Sequence, residues 1–229
     1  MLRRSVVVRY VSIAAAVIAA VGLRAQGGAP ADAEYLRKAY ETYRSMTLTS
    51  PYRETPWQYL GPRNISGRAT DVAVADRATG RRIYAAYATS GLWKTDDNGT
   101  TWQSLFDQMP STSIGDVAVA PSSPDTLWVG TGEANIFRAS MPGVGIYKST
   151  DGGRTFTHMG LTDTQTIGRI LVHPSNPDVV YVAASGHAWT DSDNRGVFKT
   201  TDGGKTWNKV FYKSPRTGAW DMVMDPSNP

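Results

Sequence analysis

From residue 71 onward, apolar and polar positions alternate in short runs, and the runs come in sets of four. The first set is Asp71-Val72-Ala73-Val74, Ile83-Tyr84-Ala85-Ala86, Gly91-Leu92-Trp93-Lys94 and Trp102-Gln103-Ser104-Leu105. The second falls at 116–119, 126–130, 145–148 and 156–159, and the third at 169–172, 179–182, 196–199 and 207–210. Period-two runs rich in Val, Ile and aromatic residues, bounded by Gly, Pro, Asn and Asp, predict strands. Each set therefore predicts one four-stranded antiparallel meander. Upstream the period changes: between Ala31 and Met46, Leu36, Tyr40 and Tyr43 recur at spacings of four and three. That predicts one amphipathic helix with Asp32 as its N-cap, followed by a Pro-punctuated connector over 47–56.

Between the third and fourth run of every set lies the same hairpin, T-x-D-x-G-x-T-W in its fullest form. Its key positions are Asp97, Gly99 and Trp102, then Asp151, Gly153 and Phe156, then Asp202, Gly204 and Trp207. The aspartates are 54 and 51 residues apart, a period that indicates stacked supersecondary units. An Asp carboxylate accepts hydrogen bonds from amides just ahead of it, Gly supplies positive φ, and the aromatic residue opens the next strand. The three carboxylates are accordingly expected to tie turns rather than perform chemistry.

The fold class expected is all-β: propeller blades, each a four-stranded meander, with an N-terminal helix. The repeats span about 67–109, 113–160 and 166–212, with the start of a fourth over 218–229, within a partial propeller covering 57–229. A closed ring takes about four to eight blades, so three blades plus one strand predict an incomplete ring. Pro56-Trp57-Gln58-Tyr59-Leu60-Gly61 aligns with a fourth strand such as Thr155 to Gly160, and no first three strands precede it. Two uncovered sheet faces are expected in consequence.

Residues 1–25 join a basic start, Arg3, Arg4 and Arg9, to an apolar run from Val11 to Leu23 and small residues around Ala25. This predicts a cleaved secretory signal, too short for a membrane span, followed by a helix and linker over 26–56. The chain carries 24 Lys and Arg against 20 Asp and Glu; removing the signal with its four arginines leaves twenty of each. Charge thus gives no support to a nucleic-acid or anionic-membrane partner. There is no cysteine, which excludes disulfides and thiolate chemistry. His158, His173 and His187 are never at ligand spacing, and the loop Asp191 to Gly196 places Arg195 at a calcium-ligand position, so neither a metal nor another cofactor is expected.

The repeated hairpin, together with Gly61-Pro62-Arg63-Asn64-Ile65-Ser66-Gly67-Arg68 and Val129-Gly130-Thr131-Gly132-Glu133-Ala134-Asn135, resembles the bacterial Asp-box (BNR-repeat) propellers. It is similar above all to their secreted glycosyl-hydrolase-like, sortilin-type subgroup. The resemblance implies an exported protein, periplasmic or extracellular. It does not fix a function, because sialidases, xyloglucanases, sorting-receptor ectodomains and photosystem-assembly factors share the box. The Arg-Ile-Pro element of sialidases is missing. Where xyloglucanases run into Arg-Thr-Asp-x-Gly-Gly, this chain reads Ala88-Thr89-Ser90-Gly91-Leu92, with Ser90 in place of the carboxylate.

Meander geometry puts the hairpins on one face of the disc, and the loops between second and third strands, with the inter-blade connectors, on the other. Variable loops on a rigid frame are where recognition resides. The expected ligand-binding residues on that face are Arg68, Glu133, Asn135, Arg138, Arg169, His187, Trp189 and Arg195, with Asn64, Phe137 and Gln165 alongside. Asp71, Asp116, Arg169 and Asp221 open equivalent innermost strands, either as a polar collar at the central channel or each capping its own turn. Two function classes follow: a module binding glycan or protein, or a glycoside hydrolase. The latter needs two carboxylates about 5 Å apart for retention or about 6.5–9.5 Å for inversion. Glu133 with Asp191 or Asp193 is the pairing nominated.

Overall fold

Every predicted set of four runs folds into its own sheet. The computed structural model describes residues 33–55, 67–78, 80–135, 140–225 and 227–229. The signal expected over 1–25, the Asp32 cap, the fourth-strand match at 56–61, Asn64, Phe137 and Arg138 lie outside the described residues.

The first sheet consists of β1 (Ala69–Arg77), β2 (Gly80–Tyr87), β3 (Gly91–Thr95) and β4 (Gln103–Ser104). The second holds β5 (Ile114–Ala120), β6 (Ser123–Thr131), β7 (Ile146–Ser149) and β8 (Thr157–His158), and the third β9 (Ile167–Val172), β10 (Val180–Ala184), β11 (Gly196–Thr200) and β12 (Asn208–Phe211). Strand order is sequential in each and pairing is antiparallel throughout, so each sheet is a blade-like meander. The innermost strands β1, β5 and β9 lie side by side.

The core sits between sheets, which is why the strands alternate yet bury both faces. Along β5, Val117 and Val119 pack against Tyr84, Ala86 and Leu92 of the first sheet, while Ala118 and Ala120 face Ile170, Val172, Val180 and Val182 of the third. Burying each of the valine, isoleucine and leucine side chains contributes roughly 1.5–3 kcal/mol relative to exposure. The corresponding Val72 and Val74 of β1 have no preceding sheet against them among the described residues and are about half exposed.

The hairpin aromatic residues act as wedges between sheets. Phe156 meets Phe106 edge-on at 4.9 Å and Trp207 meets Trp128 at 6.1 Å, with the Trp207 indole N–H donating to the Met159 carbonyl at 2.6 Å. Trp102, in the first sheet, is 44% exposed and donates to the Gly99 carbonyl within its own turn. Gly204, at φ +92°, is needed twice over, because a Cβ there would lie 2.8 Å from the buried Trp128 ring.

Among the described residues helix α1 spans Ala33–Thr49, running past the expected end at Met46, and stops just before Pro51, which disfavours helical geometry in the residue before it. Ala33 and Leu36 pack against the cluster that contains Tyr147. The predicted face is narrower than expected: Tyr43 is exposed and stacks on Tyr40 at 6.5 Å. Residues 218–225 run beside the third sheet, with the Ala219 N–H donating to the Ala184 carbonyl at 3.1 Å, but form no ladder.

Candidate functional site

On the hairpin face the aspartates are fully engaged by their own turns. Asp97 accepts from the Thr95 hydroxyl at 2.7 Å, the Thr101 N–H at 2.8 Å and the Thr101 hydroxyl at 2.6 Å. Asp151 takes the same bonds from Ser149 and Thr155, plus the Arg154 N–H, and Asp202 from Thr200 and Thr206. The Gly99, Gly153 and Gly204 amides each donate back to the hydroxyl that starts the turn at 2.9 Å. Donors converging on a carboxylate favour its charged form. The Thr101 hydroxyl and amide thus hold Asp97 down to about 2, and Asp202 is lowered by the equivalent bonds from Thr206. In Asp151 partial burial opposes this, but the Thr155 and Ser149 bonds prevail and the carboxyl is again lowered. Groups so acidic cannot deliver a proton at neutral pH.

The same face carries inter-sheet ties that sequence reasoning missed. Arg82 joins Asp96 of its own sheet and Asp125 of the next, both at 2.8 Å, and Lys148 joins Asp178 of the third sheet at 3.1 Å. Asp125 and Asp178 close the recurring Pro-Ser-Ser-Pro-Asp and Pro-Ser-Asn-Pro-Asp turns, a repeat that was the available signal.

At the innermost strands the alternatives for Asp71, Asp116, Arg169 and Asp221 resolve into a third arrangement. Asp71, Asp116 and Arg169 reach the neighbouring unit instead of capping their own turns. Asp71 accepts from Val117 N–H at 3.3 Å, Asp116 from Ile170 N–H at 2.7 Å, and Arg169 donates to Asp221 at 2.8 Å and to Asp116 at 3.4 Å. Asp221 also accepts its neighbour Met222's N–H. Asp116 is buried, and desolvation, reinforced by Asp71, pushes its carboxyl up to about 8 against the pull of Ile170 N–H and Arg169.

On the opposite face, loops and connectors interlock: Arg68, Ser113 and Thr166 carbonyls accept from Ala88, Gly132 and Ser185 N–H groups in turn. Gln165, held at φ +57°, offers its carbonyl to Gly143 N–H at 2.7 Å. Between the second and third sheets this face opens into a cavity of about 200 Å³, lined by Glu133, Thr166, Ser185, Arg195, Arg216 and Trp220. Glu133 and Arg195, nominated from loops of two different units, do meet at one cavity. Arg216 and Trp220 were missed because they follow β12, in a stretch whose register the repeat does not fix.

The carboxylates there are already committed. Glu133, with no exposed side-chain surface, receives Arg68 Nε at 2.8 Å and Nη2 at 2.5 Å, and the Ser140 hydroxyl at 3.3 Å. Asp191 is held by Arg216 Nε at 3.1 Å. Asp193 turns away, accepting the Tyr212 hydroxyl at 2.6 Å, while its carbonyl takes Lys209. The nominated carboxylate pair is therefore not assembled as two open groups: Glu133 is sealed by its arginine and Asp193 faces β12. Arg195 donates to the carbonyls of Ser185 at 2.5 Å, Thr190 at 2.8 Å and His187, and its Nε is buried without a partner. His187 meets the Asp163 carbonyl and Thr190, Trp189 is 72% exposed, and Asn135 is exposed with its carbonyl accepting from Ser140. Arg169 belongs to the inner ties rather than to this cavity.

Among the described residues no group of three or more His, Asp or Glu is placed to hold a metal ion, and no helix is long and apolar enough to cross a membrane.

No protein-family model matches the chain. A curated relative, a probable oligoxyloglucan-reducing end-specific xyloglucanase of Neosartorya fischeri, is 24% identical over 185 residues, covering 78% of this chain and 21% of that protein. The crystal structure of an ancestral GH74 enzyme superposes with a TM-score of 0.57 at 24% identity, over 73% of this chain and 21% of that one. YCF48 bound to D1 peptide superposes with a TM-score of 0.42 at 16% identity, over 72% of this chain and 48% of that one. The chain thus spans about a fifth of the length of the curated relative, and what it shares with the GH74 enzyme is a propeller fold of four-stranded blades.

Proposed function

We propose that this chain belongs to an exported Asp-box propeller, of the glycosyl-hydrolase-like kind, whose connector face binds polysaccharide. The observation that carries the reading is the cavity between the second and third sheets, where loops of two repeats and Trp220 converge. An aromatic surface next to hydroxyl and guanidinium donors suits a sugar ring, which offers apolar faces and hydroxyl edges. Similarity to a xyloglucanase favours a glycan over a protein ligand. The signal-like start of the sequence supports export.

Hydrolysis is the second reading, favoured by that same relative. Against it stand Ser90, in the tight turn between β2 and β3, and the engaged carboxylates: Glu133 is closed off by a guanidinium at 2.5 Å and has no exposed side-chain surface to meet a substrate. Affinity electrophoresis of the chain against a polysaccharide panel, with reducing-sugar release measured in parallel, tests both. Retardation without release is the expected result. Release abolished by Glu133→Gln or Asp191→Asn would install the hydrolase instead, and absence of retardation on every polysaccharide would end the binding reading.

A further inference from the structure

We propose that the cavity between the second and third sheets takes an acidic sugar, a uronic acid residue of an anionic polysaccharide. The inference rests on the polysaccharide reading and narrows it to a chemical class.

Three guanidinium groups stand at or beside the cavity, Arg68, Arg195 and Arg216, against the carboxylates of Glu133 and Asp191, with Asp193 nearby but turned to the Tyr212 hydroxyl. Arg68 neutralises Glu133 through two hydrogen bonds, and Arg216 spends its Nε alone on Asp191. Arg195 makes no ion pair among the described residues; its terminal nitrogens hold only the Ser185, His187 and Thr190 carbonyls. Arg195 is thus left without a direct ion-pair partner among the described residues in a partly enclosed site, where the field of a guanidinium is less screened than in water.

The donors are also placed for a carboxylate. Among the described residues the two Nη groups of Arg216 have no partner, and its side chain is open to solvent. A planar fork with unused N–H groups is the geometry that receives a carboxylate bidentately. Trp220, about half exposed on the cavity wall, supplies the surface against which the ring of the same sugar would lie. The volume, about 200 Å³, is below the roughly 300–1,000 Å³ of sites that enclose a whole drug-sized ligand, and suits one residue of a chain that continues over the rim. Arg195 is held flat by the backbone beneath it: Gly186 lies at φ +78°, and a Cβ there would sit 2.3 Å from Arg195 Cγ.

The test is calorimetric titration of the full chain with short oligogalacturonides and with neutral cello-oligosaccharides of equal length, at low and high salt. The acidic oligomers are expected to bind at least about tenfold more tightly, with the preference shrinking as salt rises. Arg216→Gln, at an exposed position, should keep the melting temperature and lose that preference; Arg195→Gln should lose it too. Equal or tighter binding of the neutral oligomers would overturn the acidic-sugar inference and leave the polysaccharide reading standing. An Arg216→Gln variant that still prefers the acidic oligomers would overturn it as well. Failure to bind any saccharide, or binding of polyglutamate in their place, would remove both.

Discussion

Asp116 offers the sharpest test of how the sheets are joined. It is 3% exposed, accepts Ile170 N–H at 2.7 Å from the next sheet, and has Asp71 as a repelling neighbour and Arg169 as an attracting one. Its carboxyl is raised from 3.8 to about 8, so between those values the folded protein holds a proton that the unfolded chain has released. The stabilising contribution is complete below about pH 4 and disappears as the pH climbs through about 8. At about 1.36 kcal/mol per pH unit the whole span corresponds to roughly 6 kcal/mol, and solvent entry makes about 2–3 kcal/mol the working figure. Asp116→Asn keeps an oxygen for Ile170 N–H and cannot ionise. Urea denaturation followed by tryptophan fluorescence should show the wild type weakening relative to the variant from pH 5 to pH 8.5. The variant should match the wild type at the acid end and exceed it by about 2 kcal/mol at the alkaline end. A difference between the two that stays constant with pH, or that grows in the wild type's favour, would refute the reasoning.

Equivalent hairpin positions should differ in cost. Trp207→Ala, which empties a contact with Trp128, should destabilise by about 3–4 kcal/mol, whereas Trp102→Ala should change stability by less than about 1 kcal/mol in the same denaturation assay. Arg68→Ala should lower the melting temperature by leaving Glu133 buried and unpaired, and adding Glu133→Leu should recover much of the loss; a double variant no better than the single one would contradict the ion-pair account. Gly186→Ala places a side chain at positive φ against Arg195, so it should cost about 1–2 kcal/mol and weaken binding of acidic oligosaccharides together, a coupling read by melting and calorimetry on one sample.

Alternation of apolar residues determined the strands, since a period of two leaves a run like Asp116 to Val119 little choice but a pleated conformation. The repeated T-x-D-x-G-x-T-W turn determined where each meander reverses, because its bonds run between residues at most four apart. The helix was legible from its period and its packing was not: Tyr43 sits at the right spacing but beyond the reach of the sheets. Loops that differ from unit to unit pointed to the connector face, and Glu133 and Arg195 meet there. Only the tertiary structure decided their partners. Arg68 and Glu133 are 65 residues apart and Asp116 and Ile170 are 54 apart, so those pairings exist only once sheets stack in register. Whether a carboxylate is free, sealed by a guanidinium or holding a proton depends on what lies within a few ångströms in space. Local sequence fixes the turn that presents the group, while the neighbouring sheet fixes its charge.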